Sequence, residues 1–336
     1  MGQKRNANRA GSLPFLGRLA IAATSVFALA MVTWNILRLY PGDRWLPVRL
    51  GNFVAPWLFF VLLVALAVAW LGRRPWVRRL LALLVLVSAL RYWPVLTPPL
   101  SSPNAQANAP VSQLRVMTFN VHFSNRDALG IADLVRAETP DIVAFQECTM
   151  DLITPLYAGL GGEYPYFLLD DGETPRLVLM SRYPLQGYLP PSDAWRTQWA
   201  QVETPLGLVT VWNVHSSSSL SQRAWEWQRE VFSAVANQVD GEEGPVLVLG
   251  DFNTTDHNDN YRLIADRLTD VHRAVGWGFG FTFPRRWLDR QDLSIATPAL
   301  RIDHVFASRP LVPLRTRVLK GASDHLLLVV DLAWRE

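Results

Sequence analysis

The sequence of 336 residues predicts a four-layer α/β/β/α sandwich of two mixed sheets, preceded by an N-terminal bundle of three transmembrane helices. Three observations support this fold class. Long apolar stretches fill the first hundred residues, short apolar strands alternate with helical segments after residue 113, and some neighbouring strands are joined by only a few residues. Alternation with helices is typical of parallel pairing, whereas short links require antiparallel pairing, so each sheet should contain both.

The first hundred residues are predicted to form a membrane domain over residues 1–96. We expect three spans, at about 19–37, 53–71 and 77–96, because about twenty apolar residues are needed to cross the hydrocarbon core. The first two stretches contain no charged residue. The third contains Arg91, which can reach the membrane interface beside Tyr92 and Trp93.

The basic residues of this region predict its orientation. They precede the first span and crowd the link between the second and third, at Lys4, Arg5, Arg9, Arg18, Arg73, Arg74, Arg78 and Arg79. The positive-inside rule therefore places the N-terminus in the cytoplasm. Three crossings make the chain a multi-pass protein of the cell membrane and place everything after them in the periplasm or outside the cell. If the third stretch does not cross, that part is cytoplasmic instead.

Charge is divided unevenly along the chain. Residues 1–100 contain twelve lysine and arginine residues and one acidic residue, whereas residues 101–336 contain 20 basic and 28 acidic residues. Nucleic-acid-binding proteins usually present a basic face to the phosphates, so the acidic excess makes a dedicated nuclease the less favoured class. The single cysteine, Cys148, excludes an intrachain disulfide and a thiolate metal cage, and its apolar surroundings predict a buried, inert thiol.

Residues 97–112 are rich in proline, serine and asparagine, and predict a flexible linker. Residues 113–336 then follow the strand and helix pattern of a catalytic domain. Strands are predicted for QLRVMTFN, DIVAFQE, RLVLMS, QWAQVET, LGLVTVWNVH, PVLVLG, RIDHVFAS and HLLLVVDL, and helices for residues 127–138 and about 220–239.

Polar side chains stand where these apolar strands end. They are Asn120, Glu147, His215, Asp251, Asn253, Asp303, Asp324 and His325. A buried strand has little use for such residues at its end unless that end opens into a site, because an unpaired polar group is costly to bury.

Each of these residues also has a purely structural interpretation. Asn120 could cap a turn, Glu147 could be a surface carboxylate, Asp251 could cap a helix, and His215 could be a hydrogen-bonded core histidine. Taken together, four carboxylates, two carboxamides and two imidazoles at successive strand ends favour a site for Mg²⁺ or Mn²⁺ with groups for proton transfer.

The ordered set TFN, QE, H, GDFN, IDH and SDH resembles the endonuclease/exonuclease/phosphatase superfamily, which includes DNase I-like nucleases, sphingomyelinases and inositol polyphosphate 5-phosphatases. The resemblance covers about residues 113–332, and the first hundred residues are similar to the anchors of bacterial membrane-bound members. It implies a hydrolase of phosphoric esters that depends on Mg²⁺ or Mn²⁺. It further implies that Glu147 is the principal metal ligand, with Asn120 close by and Asp324 completing a second metal position.

The resemblance also implies the catalytic roles. Asp251 and Asn253 orient the nucleophilic water and the scissile phosphate. His325 acts as general base or contacts the phosphate, and Asp303 holds its ring. His215 donates a hydrogen bond to the charge that develops on the phosphoryl group. Whether the aspartate or the histidine accepts the proton of the water stays open at this point.

The substrate is predicted less directly. The segment Trp277–Trp287 combines aromatic rings with Arg285 and Arg286, and it either packs into the core, forms a substrate wall or touches the membrane. We expect a hydrolase of a phosphorylated lipid or small phosphoester at the outer face of the lipid bilayer. The alternatives are an extracytoplasmic endonuclease or exonuclease, and a non-catalytic membrane protein that retains the fold.

Overall fold

A computed structural model describes residues 15–72, 74–98, 113–170, 175–188, 196–205, 207–284 and 299–334. The chain divides into two compact units. The first, the membrane unit, comprises Met1–Pro41 and Ala55–Tyr92, and the second, the catalytic unit, comprises Gly42–Val54 and Trp93–Glu336. The predicted linker falls mostly at residues 99–112, outside the described residues.

The membrane unit is built from apolar helices. In chain order, the helices of the N-terminal region are α1 (Phe15–Leu37), α2 (Leu46–Phe53), α3 (Ala55–Trp70) and α4 (Pro75–Leu96). The core between α1, α3 and α4 consists of small and aliphatic side chains, namely Ala28, Met31, Leu62, Ala65, Ala69, Val77 and Leu81. Most other apolar side chains of these helices face outward, as expected of helices that lie in lipid.

In the described part of the chain, two helices are long and apolar enough to cross a membrane, at Gly17–Leu37 and Pro75–Leu96. The expected second span is shorter than predicted, since α3 contains only 16 residues. At a rise of about 1.5 Å per residue it extends roughly 24 Å, less than the hydrocarbon core of about 30 Å. It reaches the length of a span only together with α2, from which it is bent by 79°. The expected count of three spans is therefore approximate.

The first sheet of the catalytic unit has six strands in the order β11-β12-β1-β2-β4-β3. Their bounds are β1 Gln113–Asn120, β2 Ile142–Cys148, β3 Tyr166–Leu169, β4 Arg176–Ser181, β11 Leu311–Lys320 and β12 Leu326–Trp334. The central strands β1 and β2 are parallel, and the other neighbours are antiparallel.

The second sheet also has six strands, in the order β5-β6-β7-β8-β10-β9. Their bounds are β5 Leu185–Tyr188, β6 Thr197–Thr204, β7 Gly207–His215, β8 Val246–Asp251, β9 Thr269–Asp270 and β10 Asp303–Ala307. Strands β7 and β8 are parallel, and β6 and β7 form the antiparallel hairpin that their short link predicts.

The helices of the catalytic unit are α5 (Ala128–Glu138), α6 (Met150–Leu160), α7 (Gln222–Gly241), α8 (Asp259–Ala265) and α9 (Val271–Val275). Alternate residues of β1 face opposite sides of their sheet. Val116 packs in the core between the two sheets, whereas Phe119 packs in the core that includes Ile131 of α5 and Leu156 of α6. A third core joins α7 and α8 to the second sheet. The predicted four-layer sandwich of two mixed sheets is thus confirmed.

Residues 42–54 belong to the catalytic unit, although the predicted membrane domain, residues 1–96, includes them. They form a short 3-10 turn, Gly42–Arg44, followed by α2. Asp43 and Arg49 of this segment are almost fully buried, and they form hydrogen bonds with Asp259 and Ser221 of the catalytic unit.

Candidate active site

The predicted site residues converge at one edge of the two sheets. Asn120 ends β1, His215 ends β7 and Asp251 ends β8, and each of these strands belongs to one of the two parallel pairs. The carboxyl ends of parallel strands open at a common edge, where polar side chains can meet. Asp303, on antiparallel β10, is the register partner of Asp251, and His325 directly precedes β12.

Backbone geometry at this edge aims the side chains. Glu147 has a φ of 60° and Asn253 a φ of 47°, both in the left-handed region that few residues other than glycine adopt. The ladder of β2 is irregular between Phe145 and Cys148, which redirects Glu147 at the end of the strand. Gly250 has a φ of 140°, and a Cβ there would collide with the carbonyl oxygen of Val214, so the position before Asp251 requires glycine.

Glu147 is held by three donors. The Asn120 amide donates to its Oε1 over 3.0 Å, the backbone N–H of Phe123 donates to its Oε2 over 3.1 Å, and His215 Nε2 lies 3.4 Å from Oε1. Burial alone would raise the pKa of Glu147, but the contacts with His215 and Asn120 outweigh it and lower the pKa to about 2. Glu147 is therefore an ionised carboxylate at neutral pH.

Asp251 is almost fully buried at the centre of the site. Its Oδ2 accepts from the amides of Asn120 at 2.9 Å and Asn253 at 3.1 Å. The Nε2 atoms of His215 and His325 both lie 3.8 Å from the same oxygen. Burial is the main cause that raises the pKa of Asp251, and the nearby Asp303 carboxylate adds to it.

His325 and Asp303 form a buried pair. Asp303 Oδ2 lies 2.9 Å from His325 Nδ1, which keeps a proton on Nδ1 and directs Nε2 toward Asp251. Desolvation of the ring acts to lower the pKa of His325, but the charges of Asp303 and Asp251 dominate and raise it to about 10. The imidazole is therefore cationic at neutral pH in the metal-free protein.

The remaining two predicted residues lie at the border of the site. The Asn253 amide bridges Asp251 and the backbone oxygen of Ser216, which it reaches over 2.9 Å. Asp324 is half-buried and accepts from the hydroxyl of Ser323 at 3.3 Å. It does not belong to either acidic group at the centre of the site, so its role as a ligand of a second metal stays a prediction.

Two groups of side chains could hold a metal ion. One comprises Glu147, His215 and Asp251, the other Asp251, Asp303 and His325, and in each the ligand atoms lie within 4.8 Å of one another. Carboxylate oxygens suit hard divalent cations such as Mg²⁺ or Mn²⁺, and the two groups together place three carboxylates, those of Glu147, Asp251 and Asp303, against two imidazoles. The donor set therefore fits such an ion.

Asn120 takes part as a donor in this arrangement. Its Oδ1 accepts the backbone N–H of His122 at 3.0 Å, so its amide nitrogen faces the two carboxylates. The predicted role of Asn120 as a metal ligand requires its oxygen instead, and that role stays a prediction.

Some supporting residues were not identified from the sequence. The Ser323 hydroxyl donates to the backbone oxygen of Asn120 and accepts the backbone N–H of His325, so it ties two site strands together. Thr282 Oγ1 accepts the backbone N–H of Asp303 at 3.3 Å. Gln146 donates to Asn213 at 2.7 Å between the sheets, beneath the site. Ser323 and Gln146 lie within the SDH and QE motifs, and this position is the sequence signal that could have identified them as supporting residues.

The match to a family of known proteins agrees with this geometry. The model of the Endonuclease/Exonuclease/phosphatase family matches residues 117–325, more than half of the chain, and includes every predicted site residue. The chain belongs to this family. Its members are hydrolases that act on phosphoester bonds and typically depend on divalent metals, and the two acidic groups lie within the matched residues.

Solved structures share the fold. An endonuclease/exonuclease/phosphatase from Beutenbergia cavernae is 27% identical with a TM-score of 0.53, covering 66% of this chain and 72% of its own. A 3′ phosphatase from Neisseria bound to a product DNA hairpin is 23% identical with a TM-score of 0.54, covering 66% and 100%. A mannosyl-6-phosphatase from Bacteroides thetaiotaomicron is 20% identical with a TM-score of 0.52, covering 66% and 100%. No curated protein matches the chain.

Proposed function

We propose that this endonuclease/exonuclease/phosphatase family member is a membrane-anchored phosphoesterase that cleaves phosphodiester or phosphomonoester bonds by metal-assisted attack of water. The observation that carries the proposal is the pair of carboxylate–imidazole groups that share Asp251. Phosphoryl transfer mainly needs positioning and neutralisation of charge, which such a site provides.

Glu147 and Asp251 are the residues that would hold Mg²⁺ or Mn²⁺, with Asn120 and Asp324 as the further predicted ligands. When bound, the ion neutralises phosphoryl charge and lowers the pKa of a coordinated water. His215 lies between the two carboxylates, with its Nε2 3.4 Å from Glu147 and 3.8 Å from Asp251, where it can donate a hydrogen bond to a phosphoryl oxygen.

The proton chemistry follows from the geometry at the centre of the site. Asp251 accepts hydrogen bonds from Asn120 and Asn253, and from this position its carboxylate can accept a proton from water. His325, with a pKa of about 10 beside Asp303, is protonated and acts as a donor to the phosphate. We therefore propose that Asp251 accepts the proton of the attacking water. Asn253, which lies beside Asp251, orients that water.

We further propose a phosphorylated lipid or small phosphoester at the outer face of the bilayer as the substrate, with the N-terminus in the cytoplasm and the catalytic domain in the periplasm or outside the cell. Exposed apolar side chains on loops that also carry site residues support this choice, namely Phe123, Leu220 and Trp277. The backbone of Phe123 contacts Glu147, and Trp277 belongs to the loop whose Phe283 ring lies 4.7 Å from the His325 ring. The acidic excess of residues 101–336 weighs against a polyanionic substrate.

The test is hydrolysis by the purified full-length protein in detergent micelles. Bis-p-nitrophenyl phosphate, phospholipid vesicles and plasmid DNA are supplied with Mn²⁺ or with a chelator. Glu147→Ala and His325→Ala are compared with wild type, and Glu243→Ala, an exposed acid at the opposite end of β8 from Asp251, is the matched control.

We expect metal-dependent turnover that is lost in both site variants and kept in the control, with the lipid or the small diester preferred over DNA. Salt-sensitive cleavage of plasmid at a higher rate than either would establish the nuclease instead. Activity at background in wild type and variants alike, without metal binding by the folded protein, would indicate a non-catalytic membrane protein.

A further inference from the structure

Residues 42–54 connect two apolar helices, yet they bury polar side chains. Asp43, Arg49 and Asn52 are each at most 1% exposed, and Val48 is equally enclosed. Burying a guanidinium and a carboxylate is costly unless each is hydrogen-bonded, so a segment that only joined two membrane helices would leave them in water.

Arg49 donates hydrogen bonds to residues of the catalytic unit far away in the sequence. Its Nη1 donates to the backbone oxygens of Ser219 and Ser221 at 2.7 and 2.8 Å, and its Nη2 donates to the Gln222 side chain at 2.9 Å. The guanidinium also lies over the Trp225 ring, 5.2 Å from its centroid. Ser221 caps the N-terminus of α7, so Arg49 fixes both the loop after His215 and the start of the helix that follows.

Asp43 and Asn52 hold a second loop. Asp43 Oδ2 accepts the backbone N–H of Asp259 at 2.7 Å and the Asn258 amide at 3.1 Å. The Asn52 amide donates to Asp43 Oδ1 at 2.6 Å, and the Thr255 hydroxyl donates to the backbone oxygen of Asn52 at 3.4 Å. This second loop begins directly after Asn253.

The two loops meet inside the active site. Asn253 donates to the backbone oxygen of Ser216, and Gln228 of α7 donates to the Ser216 hydroxyl at 3.2 Å and to the backbone oxygen of Phe252 at 3.1 Å. A change in the position of either loop therefore reaches Asn253 and, through it, Asp251.

We infer that residues 42–54 are an integral part of the catalytic domain, in which Arg49 acts as a positioning residue for the loops that carry His215 and Asn253. The hydrogen bonds span about 200 positions in the sequence, from Arg49 to Ser221 and from Asp43 to Asp259. A docked segment shares a compartment with the surface that it contacts. The link between the first two apolar helices and the catalytic domain therefore lie on the same side of the membrane, whichever side that is.

The positioning role is tested in the full-length protein with bis-p-nitrophenyl phosphate and Mn²⁺, well below the unfolding temperature. Arg49→Met removes the donors, Arg49→Lys keeps the charge and some of the donors, and Arg44→Met changes an exposed arginine of the same segment. We expect kcat to fall by up to about 100-fold in Arg49→Met, because small displacements of catalytic groups are costly. Lysine should restore part of the loss, KM should change less than kcat, and Arg44→Met should match wild type.

A folded Arg49→Met protein with the kcat of wild type would overturn the positioning role. A wild-type protein without turnover would overturn the proposed phosphoesterase instead, and the side of the membrane would then still be testable by labelling. Arg44→Cys, Glu243→Cys and Arg79→Cys are each treated in intact cells with a membrane-impermeant maleimide, on the background of the buried native Cys148.

The labelling has a definite expected pattern. The first two variants should react alike, and Arg79→Cys, near the start of α4 at the end that follows the second apolar helix, should react oppositely. Labelling of Arg44→Cys and Glu243→Cys from opposite sides would overturn the inference even if Arg49→Met does not fold.

Discussion

Among the described residues of the catalytic unit, two of the buried groups of charged side chains differ in how their charge is balanced. The first is the active-site group described above. The second, which we call the arginine cluster, comprises Asp256, Asp270, Arg273 and Arg301. In it, Arg301 donates two hydrogen bonds to Asp270, at 3.0 and 2.7 Å, and lies 3.2 Å from Asp256, which Arg273 also contacts.

The two groups shift the pKa values of their carboxylates in opposite directions. Burial acts to raise the pKa of Asp270, but Arg301 outweighs it and holds that pKa well below its usual range. In the described part of the chain, the hydrogen-bond and ion-pair partners of Asp251 are carboxamides, histidines and a backbone N–H, and burial raises its pKa. Arginine completes the arginine cluster as structure, whereas the active-site group is suited to receive a cation. The comparison separates a stabilising buried charge from a functional one.

The largest expected effect sharpens this contrast. Asp251→Asn removes a ligand and the proposed base while keeping the shape of the side chain, so phosphodiester turnover should fall by at least about 10²- to 10³-fold. Removing an unbalanced buried charge should also leave the metal-free protein as stable as wild type or more so. Turnover and thermal unfolding in a chelator measure both effects. A destabilised Asp251→Asn protein would contradict the idea that the buried charge of Asp251 lowers the stability of the metal-free protein.

The same substitution in the arginine cluster should do the reverse. Asp270→Asn leaves the buried guanidinium of Arg301 without its two-point partner, and breaking such a pair costs roughly 3–5 kcal/mol of unfolding free energy. Denaturant unfolding measures the loss. Protein that remains folded should keep metal-dependent turnover, because Asp270 holds no metal. Unchanged stability would show that Asp256 alone can balance Arg301.

The pH dependence of stability offers a further way to break the comparison. The folded-state pKa of His325, about 10, lies above its ordinary value of 6.5. Its contribution to stability is therefore fully present below pH 6.5 and is lost as the pH rises through 10. In a chelator, wild type should lose unfolding free energy between pH 7 and 10 relative to His325→Gln. Parallel curves for the two proteins would mean that Asp303 and Asp251 do not hold His325 in its charged form.

Much of the active site was predictable from the sequence. Polar residues at the ends of apolar strands are visible without a structure, and Glu147, Asp251, Asp303 and His325 were all placed in one site on that ground. Their convergence depends only on strands ending at one edge, which the alternating pattern implies. The bulge that turns Glu147 into the site leaves no comparable signal.

Other features depend on contacts that local pattern cannot reveal. Asp43 and Arg49 have the composition of an ordinary link between spans, and their partners lie about 200 residues away. The apolar residues of strand β11 are interrupted by Arg315, Thr316 and Arg317, so this edge strand lacks the continuous apolar run that revealed its neighbours. The arginine cluster joins Asp256 and Arg301 of two loops to Asp270 of β9 and Arg273 of α9, and single charged residues predict exposure by default.

The smallest expected effect comes from an aspartate–arginine pair that is not buried. Arg267 lies 2.8 Å from Asp240, a distance like that between Arg301 and Asp270, but Asp240 is 53% exposed. Water already solvates both groups, so Asp240→Asn should change the unfolding free energy by only about 0–1 kcal/mol and leave turnover unchanged. The same denaturant titration that detects Asp270→Asn serves as the measurement. If Asp240→Asn and Asp270→Asn lowered the unfolding free energy equally, burial would not explain the stabilising role of the arginine cluster. The difference in pKa between Asp270 and Asp251 would then need another cause.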